Sequence, residues 1–211
     1  SGRTLYDLYS EAFTPFEWHE ELFSFAKSIG ITLFSSPFDE SAVDLLENLK
    51  TPAYKIASFE INDLPLIRKV ASTRKPMIIS TGMSKISEID DAVEAVKSTG
   101  NKNLILLHCN SSYPSTYSEV NLKFMDTLRK MYNIPVGFSD HTTDLMSSKI
   151  AITRGANAIE RHFTLNKKSD GPDHALSADE NDLKIICDFA KNIKHLNGSG
   201  KIAPSKDCLL Y

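Results

Sequence analysis

The sequence predicts an α/β fold of the TIM (β/α)₈-barrel type, and three observations support this prediction. Short apolar runs alternate with amphipathic helical stretches, and successive runs end about 20 to 30 residues apart, which is the spacing of βα units. The runs are continuously apolar, as expected for parallel strands that are covered on both faces. Polar residues follow every run, as at the catalytic face of a barrel, whereas a doubly wound sheet concentrates its site at one switch point.

Six βα units follow one another along the chain. The predicted strands cover residues 31–36, 53–58, 76–81, 104–109, 136–139 and 158–163. The predicted helices cover residues 41–49, 64–72, 86–98, 122–131, 145–153 and 182–196, each with apolar residues at helical spacing. Two further helical pieces within residues 4–29, ended by Gly30, come before them.

The number of units predicts an incomplete barrel. A closed barrel of this type needs eight strands, so the six predicted strands leave two missing, and we expect the missing pair to precede residue 1. A chain of 211 residues can bury one good core. We therefore expect a single partial barrel domain over residues 1–211.

The composition excludes several classes of protein. A net charge of −3 with 41% hydrophobic and 24% charged residues gives no reason to expect nucleic acid or an anionic membrane surface as a partner. No apolar run approaches the roughly 20 residues that span a bilayer, and the N-terminus does not resemble a signal peptide. The cysteines, Cys109, Cys187 and Cys208, are odd in number and lack metal-type spacing, so we expect reduced thiols in the cytoplasm.

The last two predicted strands indicate a metal site. One ends in Ser-Asp-His at 139–141, and the other ends in Glu-Arg-His at 160–162. If the strands are parallel and joined by one helix, His141 and His162 emerge at the same edge of the sheet. Two imidazoles with nearby carboxylates suit a divalent transition metal that keeps open positions for substrate.

His108 and Cys109 end another predicted strand. His108 could be a third metal ligand or a hydrogen-bonded residue in the floor of the site, and the sequence favours neither reading. Cys109 has no obvious partner base, so we interpret it as a small buried residue rather than a ligand or nucleophile.

A second group of residues predicts a phosphate site. It consists of Ser36, Ser58, Ser80, Ser111 and Ser139 near strand ends, with Lys55 inside a strand. Serines at strand ends are ordinary loop formers, but a lysine within an apolar strand is costly to bury unless its ammonium is paired. Hydroxyl donors around one point charge form a cup for a phosphate. In the turn after the last strand, Asp173 is placed to bind a sugar hydroxyl.

Seven short motifs run in a fixed order along the chain. They are Phe-Ser-Ser-Pro-Phe at 34–38, Tyr-Lys-Ile-Ala-Ser-Phe-Glu at 54–60, Ser-Thr-Gly-Met at 80–83, His-Cys-Asn-Ser-Ser-Tyr-Pro at 108–114, Ser-Asp-His-Thr at 139–142, Glu-Arg-His-Phe-Thr at 160–164 and Gly-Pro-Asp-His at 171–174. Together they resemble the sialic acid synthase family, whose members make nine-carbon nonulosonic acids. The segments 4–9, 14–19 and 55–60 look most like the pseudaminic acid synthase branch.

The resemblance implies a metal-dependent condensation of phosphoenolpyruvate with an N-acetylated hexose-type amino sugar, which releases phosphate. The metal, manganese or magnesium, would bind to His141 and His162. Carboxylates such as Glu60 would stabilise positive charge at the carbon next to the attacking methylene. The resemblance thus makes Glu60, Glu160, His141 and His162 the expected catalytic residues.

The resemblance also implies where the substrates bind. Lys55 and the five serines named above would hold the phosphate, while Tyr113, Glu160 and Asp173 would face the sugar. Members of the family carry a C-terminal antifreeze-like domain, and we expect no counterpart of it within residues 1–211. The family's usual dimer depends on that domain, so a homodimer could form but does not follow from this sequence.

Three alternatives remain open from the sequence. The product could be N-acetylneuraminate rather than pseudaminate. A related phosphoenolpyruvate-dependent sugar-acid or aldol synthase would share the barrel, phosphate cup and metal, but it should lack the motifs at 160–164 and 171–174. A truncated homologue could bind sugar, phosphate or a protein partner without catalysis.

Overall fold

The computed structural model describes residues 4, 6–7, 10 and 13–198. The chain divides into two compact units, Ser1–Leu107 and His108–Tyr211. The first predicted helical piece lies mostly outside the described residues, and Cys208 lies outside them too. The expectation of one domain over residues 1–211 stays a prediction.

The first unit consists of parallel strands that alternate with helices. In chain order it contains a 3₁₀ turn at Phe16–Trp18, α1 at His19–Ser28, α2 at Glu40–Asn48, β1 at Tyr54–Ile56, a 3₁₀ turn at Ser58–Glu60, α3 at Leu64–Ser72, β2 at Met77–Ser80, α4 at Ile86–Ser98 and β3 at Leu104–Cys109. The end of β3, from His108, belongs to the second unit. β2 pairs in parallel with both β1 and β3, with Lys55 opposite Ile78 and Ser80 opposite Leu107.

The core of the first unit explains why these segments fold as they do. The strand residues Ile56, Ile79 and Leu106 are fully buried, and α3 packs against α4 with Ile67 and Val93 on their buried stripes. Full burial of one such side chain stabilises the fold by roughly 1.5–3 kcal/mol. The carboxyl ends of the strands are therefore held in place by a packed interior.

The second unit repeats the same alternation. It contains α5 at Tyr117–Val120, α6 at Phe124–Tyr132, β4 at Val136–Ser139, α7 at Met146–Thr153, β5 at Ile159–Glu160 and α8 at Glu180–Asn197. β4 and β5 are parallel, with Phe138 opposite Ile159 and Ser139 opposite Glu160. α7 packs against α8 and against both strands. The crossover from β4 to β5 through α7 is the one that the sequence predicted.

The predicted strand at 31–36 is wrong, so the structure describes five strands rather than six. Only an isolated parallel bridge between Ser35 and Tyr54 forms there. The amino end of the segment instead closes α1, because the N–H of Ile31 donates to the carbonyl of Ala26 and Gly30 adopts a φ of +74°. This is the Schellman ending of a helix, in which the backbone groups of the following residues bond back to the last turn.

The six helices predicted within the βα units are all present, with their ends displaced by at most a few residues. Parallel strands that alternate with helices confirm the α/β part of the fold prediction, and closure into a barrel stays a prediction. No helix in the described part of the chain is long and apolar enough to cross a membrane.

Candidate functional site

The register of β4 and β5 brings the two predicted metal ligands together in the second unit. Ser139 lies opposite Glu160 in the parallel ladder, and each is followed two residues later by a histidine. The rings of His141 and His162 have centroids 5.4 Å apart and planes inclined at 71°. The predicted placement of the two imidazoles at one sheet edge is thus what the structure contains.

The hydrogen bond of His141 fixes which nitrogen is free. Its Nδ1 lies 2.7 Å from the carbonyl oxygen of Asn110, which can only accept, so Nδ1 carries the hydrogen. In the neutral ring Nε2 then keeps its lone pair. Burial lowers the pKa of His141, the charge of nearby His162 adds to the lowering, and the bond to Asn110 opposes both. A neutral imidazole oriented by a backbone carbonyl is the form that binds metals.

The second imidazole faces a carboxylate. Nδ1 of His162 is 3.4 Å from Oδ2 of Asp173, and both side chains are partly exposed. The turn that carries Asp173 is closed by a 2.7 Å hydrogen bond between Oγ1 of Thr164 and Nδ1 of His174. The carbonyl of Asp173, in the same turn, also accepts a 2.7 Å hydrogen bond from the hydroxyl of Ser177. The turn therefore presents the Asp173 carboxylate to His162.

Two more predicted residues border the histidine pair. The ring of Tyr113 lies over His141, with centroids 4.2 Å apart, and meets the edge of His162 at 5.7 Å. The hydroxyl of Ser139 donates to Oε1 of Glu160 at 2.7 Å. We call His141, His162, Tyr113, Glu160 and Asp173 the histidine cluster. Among the described residues, no group of three His, Cys, Asp or Glu side chains is arranged to hold a metal ion.

One of the carboxylates expected near the metal turns away from it. Asp140 is fully buried and forms an ion pair with Arg161, with Oδ2 and a guanidinium nitrogen 2.5 Å apart. Successive side chains of an extended segment point to opposite sides, so the middle residue of each triplet faces away from the histidine that follows it. This alternation was visible in the triplets at 139–141 and 160–162, and the sequence analysis overlooked it.

The first unit holds a second group, the lysine cluster of Lys55, Ser58, Glu60 and Ser80. Ser80 ends β2 and is 2% exposed, and within the described residues its hydroxyl has no hydrogen-bond partner. Ser58 accepts a 3.0 Å hydrogen bond from the N–H of Gly82. Burial raises the pKa of Glu60, and Lys55 partly offsets this. A buried hydroxyl without a partner fits a ligand that accepts a hydrogen bond, such as a phosphate.

The remaining predicted phosphate ligands are less informative. Ser36 follows the bridge at Ser35 and is half-buried, and Ser111 is half-buried in the second unit. The hydroxyl of Ser139 is committed to Glu160. Their roles as phosphate ligands stay predictions.

His108 and Cys109 lie in the interior of the second unit. Nε2 of His108 is 2.7 Å from the carbonyl of Val120, and its ring packs against Phe124 and Phe138. Burial lowers the pKa of His108. These contacts favour a hydrogen-bonded structural role over a third metal ligand. Cys109 is buried, as predicted.

Several known proteins are similar to this chain. Pseudaminic acid synthase of Helicobacter pylori is 45% identical over 187 residues, covering 89% of this chain and 55% of that protein. N,N'-diacetyllegionaminic acid synthase of Campylobacter jejuni is 42% identical over 190 residues, covering 89% of this chain and 57% of that protein. The chain thus spans about half the length of the curated relatives it matches.

Solved structures of similar proteins also superpose on this chain. The crystal structure of N-acetylneuraminic acid synthetase from Leptospira borgpetersenii superposes with a TM-score of 0.87 at 30% identity, covering 94% of this chain and 69% of that one. A truncated 3-deoxy-D-arabino-heptulosonate 7-phosphate synthase from Thermotoga maritima, at 19% identity and a TM-score of 0.72 over 87% of this chain and 72% of that one, shares the fold. The sequence pattern of the NeuB family matches residues 1–202, so the resemblance to sialic acid synthases is confirmed and the chain belongs to the NeuB family.

Proposed function

We propose that this chain serves a metal-dependent condensation of phosphoenolpyruvate with an N-acetylated amino sugar, which yields a nine-carbon nonulosonic acid and phosphate. One observation carries the proposal above all others. His141 is buried, its Nδ1–H is bound to a carbonyl, and its ring is 5.4 Å from that of His162, in a chain 45% identical to a pseudaminic acid synthase.

The residues present fit a divalent metal. His141 and His162 would hold it, and the family resemblance makes manganese, or magnesium, the metal we propose. Carboxylates, the ligand type that both ions favour, lie nearby in Glu160 and Asp173. The metal when bound supplies Lewis acidity toward the aldehyde oxygen of the open-chain sugar. Asp173, 3.4 Å from Nδ1 of His162, would orient that ring, and Tyr113 and Glu160 would bind sugar hydroxyls.

The lysine cluster would hold the phosphate end of phosphoenolpyruvate. Lys55 supplies the positive charge, and Ser80 and Ser58, together with Ser36 and Ser111, supply hydroxyl donors. Ser139, whose hydroxyl donates to Glu160, would have to exchange that bond for one to the phosphate. The unpaired hydroxyl of Ser80 supports this assignment, because a buried donor without a partner costs free energy unless a ligand accepts its hydrogen bond.

The reaction forms one carbon–carbon bond and breaks one carbon–oxygen bond. The methylene carbon of phosphoenolpyruvate attacks the aldehyde carbon of the sugar, whose oxygen takes up a proton. Positive charge develops at the adjacent carbon, and water adds there with loss of one proton. The bond from that carbon to the phosphate oxygen then breaks, the new hydroxyl gives its proton to the departing phosphate, and the carbon becomes a ketone. Glu60 stabilises the charge and accepts the water proton, since a carboxyl whose pKa is raised by burial exchanges protons closer to neutral pH.

The experiment that tests the proposal is calorimetric titration of phosphoenolpyruvate into the full chain, with and without Mn²⁺. We expect saturable binding that Mn²⁺ tightens, a loss of at least about 10-fold in affinity for K55M, and no Mn²⁺ effect for H141A. The exposed Lys97, paired only with Glu94, provides the control variant K97M. Equal affinities for wild type, K55M and K97M would contradict the proposal and favour a homologue that binds a protein partner instead.

Pseudaminate is the product we propose. The segments that resemble the pseudaminic acid synthase branch support this choice, and N-acetylneuraminate or a legionaminate is the alternative that the same titration with the corresponding amino sugars would identify. The homodimer and the cytoplasmic location stay predictions.

A further inference from the structure

Each histidine of the metal site is preceded in the chain by a charged residue that does not take part in the site. Asp140 comes before His141, and Arg161 comes before His162. Their side chains are 0% and 5% exposed, and they pair with each other at 2.5 Å. Burying two charges costs several kcal/mol of desolvation, so such a pair is weak support for stability by itself. A further reason for its presence is therefore needed.

The contacts of Arg161 supply that reason. One guanidinium nitrogen donates to Asp140 and to the carbonyl of Asp144 at 2.8 Å. The other donates to the carbonyls of Thr142 at 2.6 Å and Leu176 at 3.2 Å. One side chain thus ties together the end of β5, the loop after β4 and the segment that follows the turn at 171–174. The first two segments carry His162 and His141, and Asp173 lies in the turn that leads into the third.

Asp140 strengthens the same junction from the other side. It accepts hydrogen bonds from the backbone N–H of Thr142 at 2.9 Å and from the hydroxyls of Thr142 and Ser148 at 2.8 and 2.5 Å. Ser148 lies in α7, so the loop that carries His141 is anchored to a helix as well as to Arg161. A guanidinium presents donors in a rigid planar fork, which lets it reach several fixed oxygens where a lysine would act as a point charge.

We propose that Asp140 and Arg161 are positioning residues that set the spacing of His141, His162 and Asp173 for metal binding. This inference rests on the proposed function, since it concerns the same metal. Outer residues that orient metal ligands typically change metal affinity by about 10- to 100-fold when they are replaced.

The same unit offers a matched control pair. Arg154 pairs with Asp126, which also accepts a 3.0 Å bond from Arg129, and the pair links α6 with the end of α7. These side chains are about one-third exposed, and Arg129 also donates to the carbonyl of Gly155 at 3.1 Å. Replacing Arg154 removes a similar ion pair without disturbing the junction at Arg161.

The test measures Mn²⁺ affinity from the electron paramagnetic resonance signal of free Mn²⁺, alongside thermal unfolding, for the full chain. We expect R161M and D140N to weaken Mn²⁺ binding about 10- to 100-fold and R154M to leave it within about 2-fold. R161K, which keeps the charge but not the fork, should fall between R161M and wild type and covers the case in which R161M does not fold.

The outcomes separate this inference from the proposed function. If R161K and D140N bind Mn²⁺ as tightly as wild type does, the positioning role is overturned and the metal site stands. Equal weakening in R161M and R154M would also overturn it, because loss of global stability would then explain both. Wild type that binds no Mn²⁺ would overturn the metal site itself, and the positioning role with it.

Discussion

The histidine cluster and the lysine cluster differ in how far the protein itself satisfies their polar atoms. In the histidine cluster, His141 is bonded to Asn110, His162 faces Asp173 and Ser139 donates to Glu160. In the lysine cluster, the hydroxyl of Ser80 and one oxygen of Glu60 are buried, and neither has a hydrogen-bond partner in the described part of the chain.

This difference separates two ways of preparing a binding site. The imidazoles are oriented before any metal arrives, so metal binding there need not reorganise the protein. The first unit instead keeps a buried donor unpaired, at a cost in stability that an anionic ligand would relieve. Variants in the histidine cluster should therefore change geometry and stability together, whereas variants in the lysine cluster should separate stability from ligand affinity.

The largest effect is expected from removing one of the two imidazoles. H141A should lower Mn²⁺ affinity by more than about 100-fold, because replacing even the residues behind a metal ligand costs 10- to 100-fold. Calorimetric titration with Mn²⁺ measures this. The exposed His195 in α8 provides the control variant H195A, which should bind Mn²⁺ as wild type does. Equal affinities for H141A and wild type would mean that the metal binds elsewhere.

A smaller effect distinguishes two serines that each end a strand, Ser80 in β2 and Ser139 in β4. S80A removes a hydroxyl without a partner, so the free energy of unfolding should stay within about 0.5 kcal/mol of wild type or rise. Phosphoenolpyruvate affinity should nevertheless fall by about 10-fold or more, since a hydrogen bond to a charged group contributes roughly 1.5–3 kcal/mol.

S139A provides the contrast. Its hydroxyl is bonded to Glu160, so the free energy of unfolding should fall by about 1 kcal/mol. Urea denaturation measures the free energies of unfolding of S80A and S139A, and the phosphoenolpyruvate titration measures their affinities for the ligand. If S80A loses as much stability as S139A and no affinity, then Ser80 is a structural residue and the lysine cluster is not a phosphate site.

The two clusters also differ in how much of them the sequence could predict. The triplets at 139–141 and 160–162 end strands joined by one helix, and parallel pairing in step follows from that arrangement, so the adjacency of His141 and His162 was predictable. The opposite orientation of Asp140 and Arg161 follows from the same strand geometry and was also within reach.

Other features depend on contacts that no sequence pattern reveals. The tautomer of His141 is set by the carbonyl of Asn110, 31 residues away in the chain, and any residue offers a carbonyl. The strand predicted at 31–36 failed because an apolar run also fits the residues that close a helix, and the backbone of Ile31 was already committed to α1. Local pattern fixes which residues are buried, while hydrogen-bond partners are chosen by the tertiary fold.

A third variant tests how rigid the turn that carries Asp173 must be. Gly171 has a φ of +142°, and a Cβ there would lie 2.9 Å from Cδ2 of His174. G171A should therefore strain the backbone, by about 1–3 kcal/mol, and push His174 off Thr164. Mn²⁺ affinity should fall as Asp173 moves away from His162.

Gly30 provides the control, because an alanine there would strain the backbone but would not clash with a neighbouring side chain. Its φ is +74°, but a Cβ there would meet nothing within 4 Å. G30A should cost about 1–2 kcal/mol in thermal unfolding and leave Mn²⁺ affinity unchanged. If both variants bind Mn²⁺ like wild type, then Asp173 does not orient His162.

The smallest expected effect concerns how the free energy of unfolding depends on pH. His141 and Glu60 should contribute to it with opposite signs. Burial holds the pKa of His141 below that of an exposed histidine, about 6.5, so the unfolded chain binds more protons and the stability contribution of His141 is lost as pH falls through that value. Burial raises the pKa of Glu60, so the folded chain binds more protons and its contribution is lost as pH rises above the ordinary glutamate range.

Unfolding free energies of wild type, H141Q and E60Q between about pH 4.5 and 8 measure these contributions as slopes, so any constant loss caused by the substitution cancels. Relative to wild type, H141Q should become more stable as pH falls, and E60Q should become more stable as pH rises. Parallel curves for E60Q and wild type would mean that Glu60 is as well solvated in the fold as in the unfolded chain, and it would then lack the raised pKa that suits it to accept the proton of the attacking water.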